Sequence, residues 1–218
     1  MKIIELNNSV TDSNDRDAEV LRNELTEKGI CLINLMSSPG SGKTTLLSRI
    51  IKDMNAKVPI AVCEADIASA VDAERIESLG ATAVQVHTDG MCHMDAGMTR
   101  KGLFSMDLDG IKLAFLENVG NLICPAEFDT GAHVGMMILS VPEGDDKPLK
   151  YPLMFRESQV LVITKMDALP YFTFDLEKCR KRALTLNPNI KIFPVSAKTG
   201  EGMEDLENWL GSLIISHQ

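Results

Sequence analysis

The stretch Ile30-Cys31-Leu32-Ile33-Asn34-Leu35-Met36-Ser37-Ser38-Pro39-Gly40-Ser41-Gly42-Lys43-Thr44-Thr45 decides the fold. Its first half is a short apolar run, consistent with a buried parallel strand. Its second half is rich in Ser, Pro and Gly and opens a helical pattern from Lys43 to Asp53. Strand, glycine loop and helix in that order are the context that a phosphate-binding loop requires. Gly40 and Gly42 let the backbone turn so that successive N–H groups, including that of Ser41, point at a β-phosphate. The helix N-terminus beyond, with Thr45 in its first turn, adds a favourable partial charge. Lys43 is then placed to reach the β- and γ-phosphates, and the Thr44 hydroxyl to bind Mg²⁺. The first position of the pattern is Ser37 rather than Gly, a small residue that the turn tolerates. The competing reading is an accidental Gly/Ser turn with a lysine in it, and the order of the three elements argues against that.

Working outward, apolar runs of strand length recur at Val58–Cys63, Thr82–Val86, Ile111–Leu116, Val134–Val141, Val160–Ile163 and Ile190–Val195. Helical patterns lie between several of them, at Ala70–Leu79, Phe174–Leu186 and Met203–Ile214. Strands alternating with helices predict an α/β fold of the P-loop NTPase type, with a mostly parallel sheet and helices on both faces. Residues 1–15 are polar and read as a loose arm, and Arg16–Lys28 as a surface helix. That divides the chain into an arm and helix over 1–29 and a P-loop domain over 30–218. Within the domain, residues 87–108 and 121–133 are short of strand signal but rich in His, Cys, Met and Gly, and read as an embedded metal-binding insertion.

Composition narrows the function classes. Against 22 Lys and Arg stand 31 Asp and Glu, a formal charge of −9. That argues against a general nucleic-acid binder, which normally presents a basic surface. There is no run of 18 apolar residues to cross a membrane, and the start Met1-Lys2-Ile3-Ile4-Glu5-Leu6 lacks a secretory apolar core. A cytoplasmic protein with no membrane partner is expected. The five cysteines are odd in number and widely spaced, so they read as reduced thiols.

The base is read from a second pair of loops. After Val160–Ile163 comes Thr164-Lys165-Met166-Asp167, similar to the guanine-selecting Asn-Lys-x-Asp of GTPases. A carboxylate at Asp167 accepts two hydrogen bonds from the guanine N1–H and exocyclic amine, a pair that adenine cannot offer. The Lys165 stem can lie on the base face. Thr164 stands where the motif has Asn, whose amide braces this loop against the phosphate loop, and a hydroxyl is expected to brace it less fully. After the next strand, Ser196-Ala197-Lys198-Thr199-Gly200 resembles the second guanine loop, in which a backbone amide meets the guanine oxygen. Either motif alone is a common surface turn, but both stand at strand ends in the correct order.

Asp66 follows the strand Val58–Cys63, and Glu117 ends Ile111–Leu116. Both carboxylates are expected at the carboxyl edge of the sheet, where open α/β sheets bind ligands. With Thr44 they form a set of hard oxygens suited to Mg²⁺. A helix N-cap is the plainer role for Asp66. Glu117-x-x-Gly120 stands where many GTPases carry Asp-x-x-Gly. No arginine is assigned to the phosphates, so turnover is expected to be slow.

A softer donor set lies in the insertion. Cys92 and His93 are adjacent, and Cys124 lies downstream in Ile123-Cys124-Pro125. Thiolate and imidazole suit Ni²⁺ or Zn²⁺ better than Mg²⁺. Three ligands do not close a tetrahedral site, and a site shared across a two-fold interface would supply the rest. The bland alternative is a Cys-His turn or core pair. Cys31, Cys63 and Cys179 fall in strand or helix patterns and read as core residues. His87 and His133 are possible extra ligands for which surface or core roles are the simpler reading. Met91, Met94, Met98 and Met106 read as packing.

Taken together, these motifs resemble the hydrogenase nickel-incorporation GTPases, the HypB family, over residues 30–212. The resemblance rests on Ser37–Leu47, on Glu64-Ala65-Asp66-Ile67-Ala68 with Asp72-Ala73-Glu74-Arg75-Ile76, and on Cys92-His93-Met94-Asp95-Ala96. It continues through Glu117–Asp129 and Glu143-Gly144-Asp145-Asp146-Lys147-Pro148-Leu149-Lys150-Tyr151-Pro152. It implies a GTPase that forms homodimers with nucleotide and metal and serves maturation of [NiFe] hydrogenase. The implied partners are the hydrogenase large subunit or an accessory nickel chaperone. It carries over the metal ligands Cys92, His93 and Cys124. Lys150 is implied to contact nucleotide across the dimer and to act with Lys43 and Asp66 in turnover. Three departures matter. Gly97 stands where many members carry His, Thr130-Gly131-Ala132 stands for Leu-Gly-Glu, and the tight terminal metal site of members with a His- or Cys-rich amino-terminal extension is not expected. Other readings are a GTP-gated metal chaperone in which hydrolysis is incidental, a urease-type nickel-insertion GTPase, and a small-molecule kinase. The guanine loops argue against the kinase.

Overall fold

The computed structural model describes residues 7–66, 71–88 and 90–215. Its strands are β1 (Cys31–Ser37), β2 (Ile60–Asp66), β3 (Thr82–His87), β4 (Leu113–Glu117), β5 (Val134–Ser140), β6 (Val160–Thr164) and β7 (Lys191–Pro194). They form one seven-stranded sheet in the order β3-β2-β4-β1-β5-β6-β7. Every pairing is parallel. Each apolar run read from the sequence is a strand, to within a few residues at each end. The reason is the one that made them legible: a parallel strand covered on both faces is apolar throughout.

The helices are α1 (Asn7–Glu27), α2 (Lys43–Met54), α3 (Val71–Ser78), α4 (Ala96–Leu103), α5 (Lys147–Lys150), α6 (Pro152–Glu157), α7 (Leu176–Leu186) and α8 (Met203–Ile215). They cover both faces of the sheet. On one face Cys31, Ile33 and Leu35 of β1 pack with Leu46, Leu47, Ile50 and Ile51 of α2 and Leu206 and Leu210 of α8. On the other face Leu32 packs with Leu21 and Leu25 of α1 and Leu103 of α4. Further along that face Met36 joins Met154 and Phe155 of α6 and Cys179 and Ala183 of α7.

Several elements differ from the sequence reading. The helix expected over Arg16–Lys28 begins at Asn7, so much of the polar stretch read as a loose arm is helical. Ala18, Leu21 and Leu25 are fully buried and anchor it. Inside the insertion lies α4, which buries Ala96, Thr99, Gly102 and Leu103 at helical spacing and is capped by Asp95 accepting from Met98 N–H at 2.7 Å. Two glycines in eight residues hid it, since glycine weakens any helix signal. The short α5 and α6 each open with a proline near the start, where its missing N–H costs nothing.

At the sheet's far side, Lys191 N–H donates to Gln159 O and Val195 N–H to Ile163 O, both on the β6 side. By strand alternation Ile192 and Pro194 face away from β6. Among the described residues no helix is long and apolar enough to cross a membrane.

Candidate functional site

Because the connection from β1 runs to β2 on one side and that from its neighbour β5 to β6 on the other, a crevice opens at the strands' carboxyl ends. The phosphate loop occupies it. Gly40 and Gly42 both have left-handed backbone angles, and Gly42 caps α2. Lys43 Nζ donates to Ser37 Oγ at 3.0 Å. The Thr44 hydroxyl donates to Glu117 Oε1 at 2.9 Å, so those two expected Mg²⁺ ligands are together. A Cβ on Gly120 would lie 3.0 Å from Pro39 Cγ and 3.1 Å from Pro39 N. Only glycine lets the Glu117–Gly120 turn lie this close to the phosphate loop. Asp66 ends β2 opposite His87, on the same edge of the sheet, but its side chain lies outside the described residues. Thr45 is exposed in the first turn of α2.

The guanine-type loops brace the phosphate loop from the other side. The buried Thr164 hydroxyl donates to Ser41 O at 2.7 Å. Lys165, with a left-handed φ of 60°, donates from Nζ to Gly40 O at 2.7 Å. Within a planar peptide, fixing the Ser41 carbonyl fixes the Gly42 N–H on the opposite side. Thr164, where the motif has Asn, thus makes one contact with the phosphate loop. Asp167 Oδ1 accepts from the buried Ser196 hydroxyl at 2.7 Å, which joins the two guanine loops. A carboxylate so held retains lone pairs for two further donors. Ala197 O accepts from Arg49 Nη1 at 3.3 Å, and Lys198 is exposed at the rim.

The second constellation lies beside the first. Cys92 and His93 occupy the turn between β3 and α4, and Cys124 begins a short 3-10 turn ending at Ala126. One ligand atom from each of the three lies within 4.8 Å of the others. Cys92 Sγ is 3.7 Å from His93 Nδ1. Cys92 is exposed, Cys124 half-buried and His93 buried. The His93 ring stacks on Phe128 with centroids 3.9 Å apart. Burial lowers the His93 pKa against the opposing pull of Asp95 and Glu127, which favours the neutral, ligating form. A hydrogen bond to Cys92 and then burial raise the Cys124 thiol. A thiol pair and an imidazole fit a soft or borderline cation such as Zn²⁺ or Ni²⁺.

The other thiols and histidines behave as the sequence implied. Cys31, Cys63 and Cys179 are buried, with burial pushing them up to about 11, about 12 and about 12. His133 Nδ1 accepts from Leu32 N–H at 3.0 Å. The Thr26 hydroxyl lies 2.9 Å from Nε2 and itself donates to Arg22 O, so the ring proton sits on Nε2. With both nitrogens engaged, His133 is a structural residue. His87 is exposed at the end of β3. Met94 is fully buried, and Met98 and Met106 pack against the same core. At Gly97, the position of one departure, the chain is in the first turn of α4.

The loop of Lys150 is braced against α7. Arg182 binds the carbonyl and carboxylate of Asp145, whose Oδ2 accepts from Asp175 N–H at 2.8 Å. Lys150 pairs with Asp146 at 2.6 Å and has 59% of its side chain exposed.

Residues that the sequence did not flag join the two constellations. Asn118, 1% exposed, accepts from Met94 N–H at 3.1 Å and donates to Asn34 Oδ1 at 3.1 Å. It follows Glu117 directly, so Thr44, Glu117, Asn118 and Met94 make a continuous line from the phosphate loop to the neighbour of His93. Its signal was a polar residue at the end of an apolar strand. Phe128 stood within a quoted motif without a role. Asn14 and Arg22, which touch the Asp129–Ala132 loop, carried no signal at all.

The fold and these loops define a P-loop nucleotide-binding protein with an added cluster of two thiols and an imidazole. The CobW/HypB/UreG nucleotide-binding domain matches residues 31–194. The chain is 45% identical over 209 residues to the hydrogenase maturation factor HypB of Escherichia coli K12, covering 96% of this chain and 72% of that protein. The crystal structure of HypB from Helicobacter pylori in complex with nickel superposes with a TM-score of 0.89 at 35% identity, over 94% of this chain and 96% of that one. HypB from Archaeoglobus fulgidus gives 0.87 at 36% identity, over 93% and 99%. The chain belongs to the HypB family of hydrogenase maturation factors.

Proposed function

We propose that the chain binds GTP with Mg²⁺, hydrolyses it slowly, and uses the nucleotide state to control delivery of Ni²⁺ during maturation of [NiFe] hydrogenase. The observation that carries this reading is the line of contacts Thr44–Glu117–Asn118–Met94, which ties the phosphate loop to the turn bearing Cys92 and His93. A group that pulls Thr44 and Glu117 toward itself would act on that turn through one hydrogen-bonded side chain.

In this reading the backbone from Gly40 to Thr45 and Lys43 hold the phosphates, and Thr164, Lys165, Asp167, Ser196, Ala197 and Lys198 hold and select guanine. Thr44, Glu117 and Asp66 hold Mg²⁺, which would offset charge on the phosphates. Cys92, His93 and Cys124 take Ni²⁺ or Zn²⁺ as cargo or signal. Lys150, exposed on its braced loop, reaches the nucleotide of a second copy, so GTP and metal together favour a homodimer that works in the cytoplasm with the hydrogenase large subunit or a nickel chaperone. The P-loop unit is residues 30–218, preceded by the helix that ends before Gly29.

The test is sedimentation of the purified protein with GTP, with Ni²⁺, and with both. Dimer formation that needs GTP and Cys92 is the expected result. Cys92→Ala and Cys124→Ala are expected to keep guanine nucleotide affinity and lose metal. Unchanged nickel stoichiometry in both variants discards the ligand assignment. Nickel transfer at full rate with a non-hydrolysable GTP analogue shows that hydrolysis is incidental.

A further inference from the structure

The two segments that carry the metal ligands come from different parts of the sheet. Cys92 and His93 follow β3, whereas Cys124 and Phe128 follow β4. Asn118 ties them from inside. On the outside a single residue of α1 touches both: Asn14 Nδ2 donates to Asp129 O at 2.8 Å, and Asn14 Oδ1 accepts from Ala96 N–H at 3.1 Å. Ala96 opens α4 three residues after His93, and its N–H has no partner within its own helix. Asp129 follows Phe128, on which the His93 ring stacks. A carboxamide offers a donor and an acceptor on separate atoms at its tip, so one side chain can bridge an N–H and a carbonyl.

The rest of α1 holds Asn14 in place on this loop. Arg22 makes two bonds of 2.7 Å to the Asp129 carboxylate, and its Nε donates to Ala132 O at 3.0 Å. A Cβ on Gly131 would fall 2.8 Å from Leu21 Cδ2, so helix and loop are in direct contact. Farther along, Glu24 binds Arg100 of α4 through two bonds of 2.9 Å, clear of the ligand segments.

We infer that Asn14 is a positioning residue for the metal centre, closing the Cys92–His93 turn onto the Cys124–Phe128 segment, so that α1 sets metal affinity from outside the P-loop domain. The inference rests on the metal reading given above. Without the clip the two segments keep the Asn118 contacts and the His93–Phe128 stack but lose their outer tie, and bringing three ligands together must first restrict their relative motion.

The experiment uses the full chain with Zn²⁺, measured by competition with a chromophoric chelator, and with Co²⁺ as a spectroscopic probe. Asn14→Leu, near in shape but without polar atoms, is expected to weaken Zn²⁺ binding about tenfold, as loss of two ordinary hydrogen bonds implies. The Co²⁺ thiolate band should shift or weaken, and exchange at the Ala96 amide should speed up by a similar factor in metal-free protein. Glu24→Gln, which loosens the same helix without touching the clip, should leave affinity and band unchanged. Should Asn14→Leu fail to fold, Asn14→Ala, which admits water in place of the amide, is read in the same way. If Cys92→Ala loses metal while the Asn14 variants keep wild-type affinity and spectrum, the clip is refuted and the metal centre stands. Equal weakening by Glu24→Gln reduces Asn14 to general helix docking and also refutes it. If Cys92→Ala keeps its metal, the metal reading itself falls.

Discussion

Thr164→Val removes one hydroxyl and little else. The side chain is 3% exposed and its oxygen lies 2.7 Å from Ser41 O. Valine fills the same volume but leaves that carbonyl without its buried donor, at a cost of about 1–3 kcal/mol. The loss divides into two measurable parts. One is fold stability, and each 1 kcal/mol lowers Tm by about 2–4 °C in a chain of this size. The other is nucleotide affinity, because the Ser41–Gly42 peptide is free to rotate and the Gly42 N–H must be re-aimed on binding. If about 1–2 kcal/mol appears there, GDP affinity falls by a factor of about 5–30. Calorimetric titration with GDP and a melt of the ligand-free protein separate the two, and metal affinity serves as a control that should not move. A lower Tm with wild-type GDP affinity refutes the peptide-plane argument and leaves the hydroxyl as a contact of the fold alone.

Other outcomes follow from the same coordinates. The Glu207 carboxyl is raised above its usual range by burial and by Asp53, so between its unfolded and folded values only the folded chain holds the proton, and stability falls as pH rises through that window. Glu207→Gln should therefore raise Tm at pH 8 and leave it unchanged at pH 4, as read by differential scanning fluorimetry; equal shifts at both contradict the charge argument. Asn118→Leu strands the Met94 and Val119 N–H groups, which both donate to Asn118 Oδ1, and should cost about 2–3 kcal/mol in a denaturant melt. Arg182→Met frees Asp145, and amides of residues 143–150 should exchange at least about tenfold faster while GDP affinity stays the same.

The sheet was legible in the sequence because its inner strands, among them Cys31–Ser37 and Val160–Thr164, are buried on both faces and so apolar along nearly all their length, while the half-exposed edge strands β3 and β7 still carry enough apolar residues to be read. The phosphate loop and the candidate guanine loops could be named because glycine, lysine and carboxylate chemistry constrains residue type at fixed spacing. Helices made of polar or glycine-rich sequence escaped. Much of α1 is hydrophilic because its amides and charges bind loops rather than fill a core, and α4 has Gly97 and Gly102 where a helix signal needs side chains. Cys92, His93 and Cys124 could be named as donors, but their convergence within 4.8 Å could not, since the contacts beside them, Asn118 to Met94 and Asn14 to Ala96, span 24 and 82 positions of sequence. Pairings of that range leave no local pattern. Thr164 was expected to brace the loop less fully than an amide, and it makes one hydrogen bond to the phosphate loop, to the Ser41 carbonyl.

The sheet closes itself off at β7. Of the four residues there, Lys191 and Phe193 turn their N–H groups inward, and Pro194 has none to turn outward. Ile192 alone presents a donor, which is too little to template another strand. Fibril-like growth by strand addition is thereby disfavoured along this border, because an incoming chain would find one N–H there to start a ladder on.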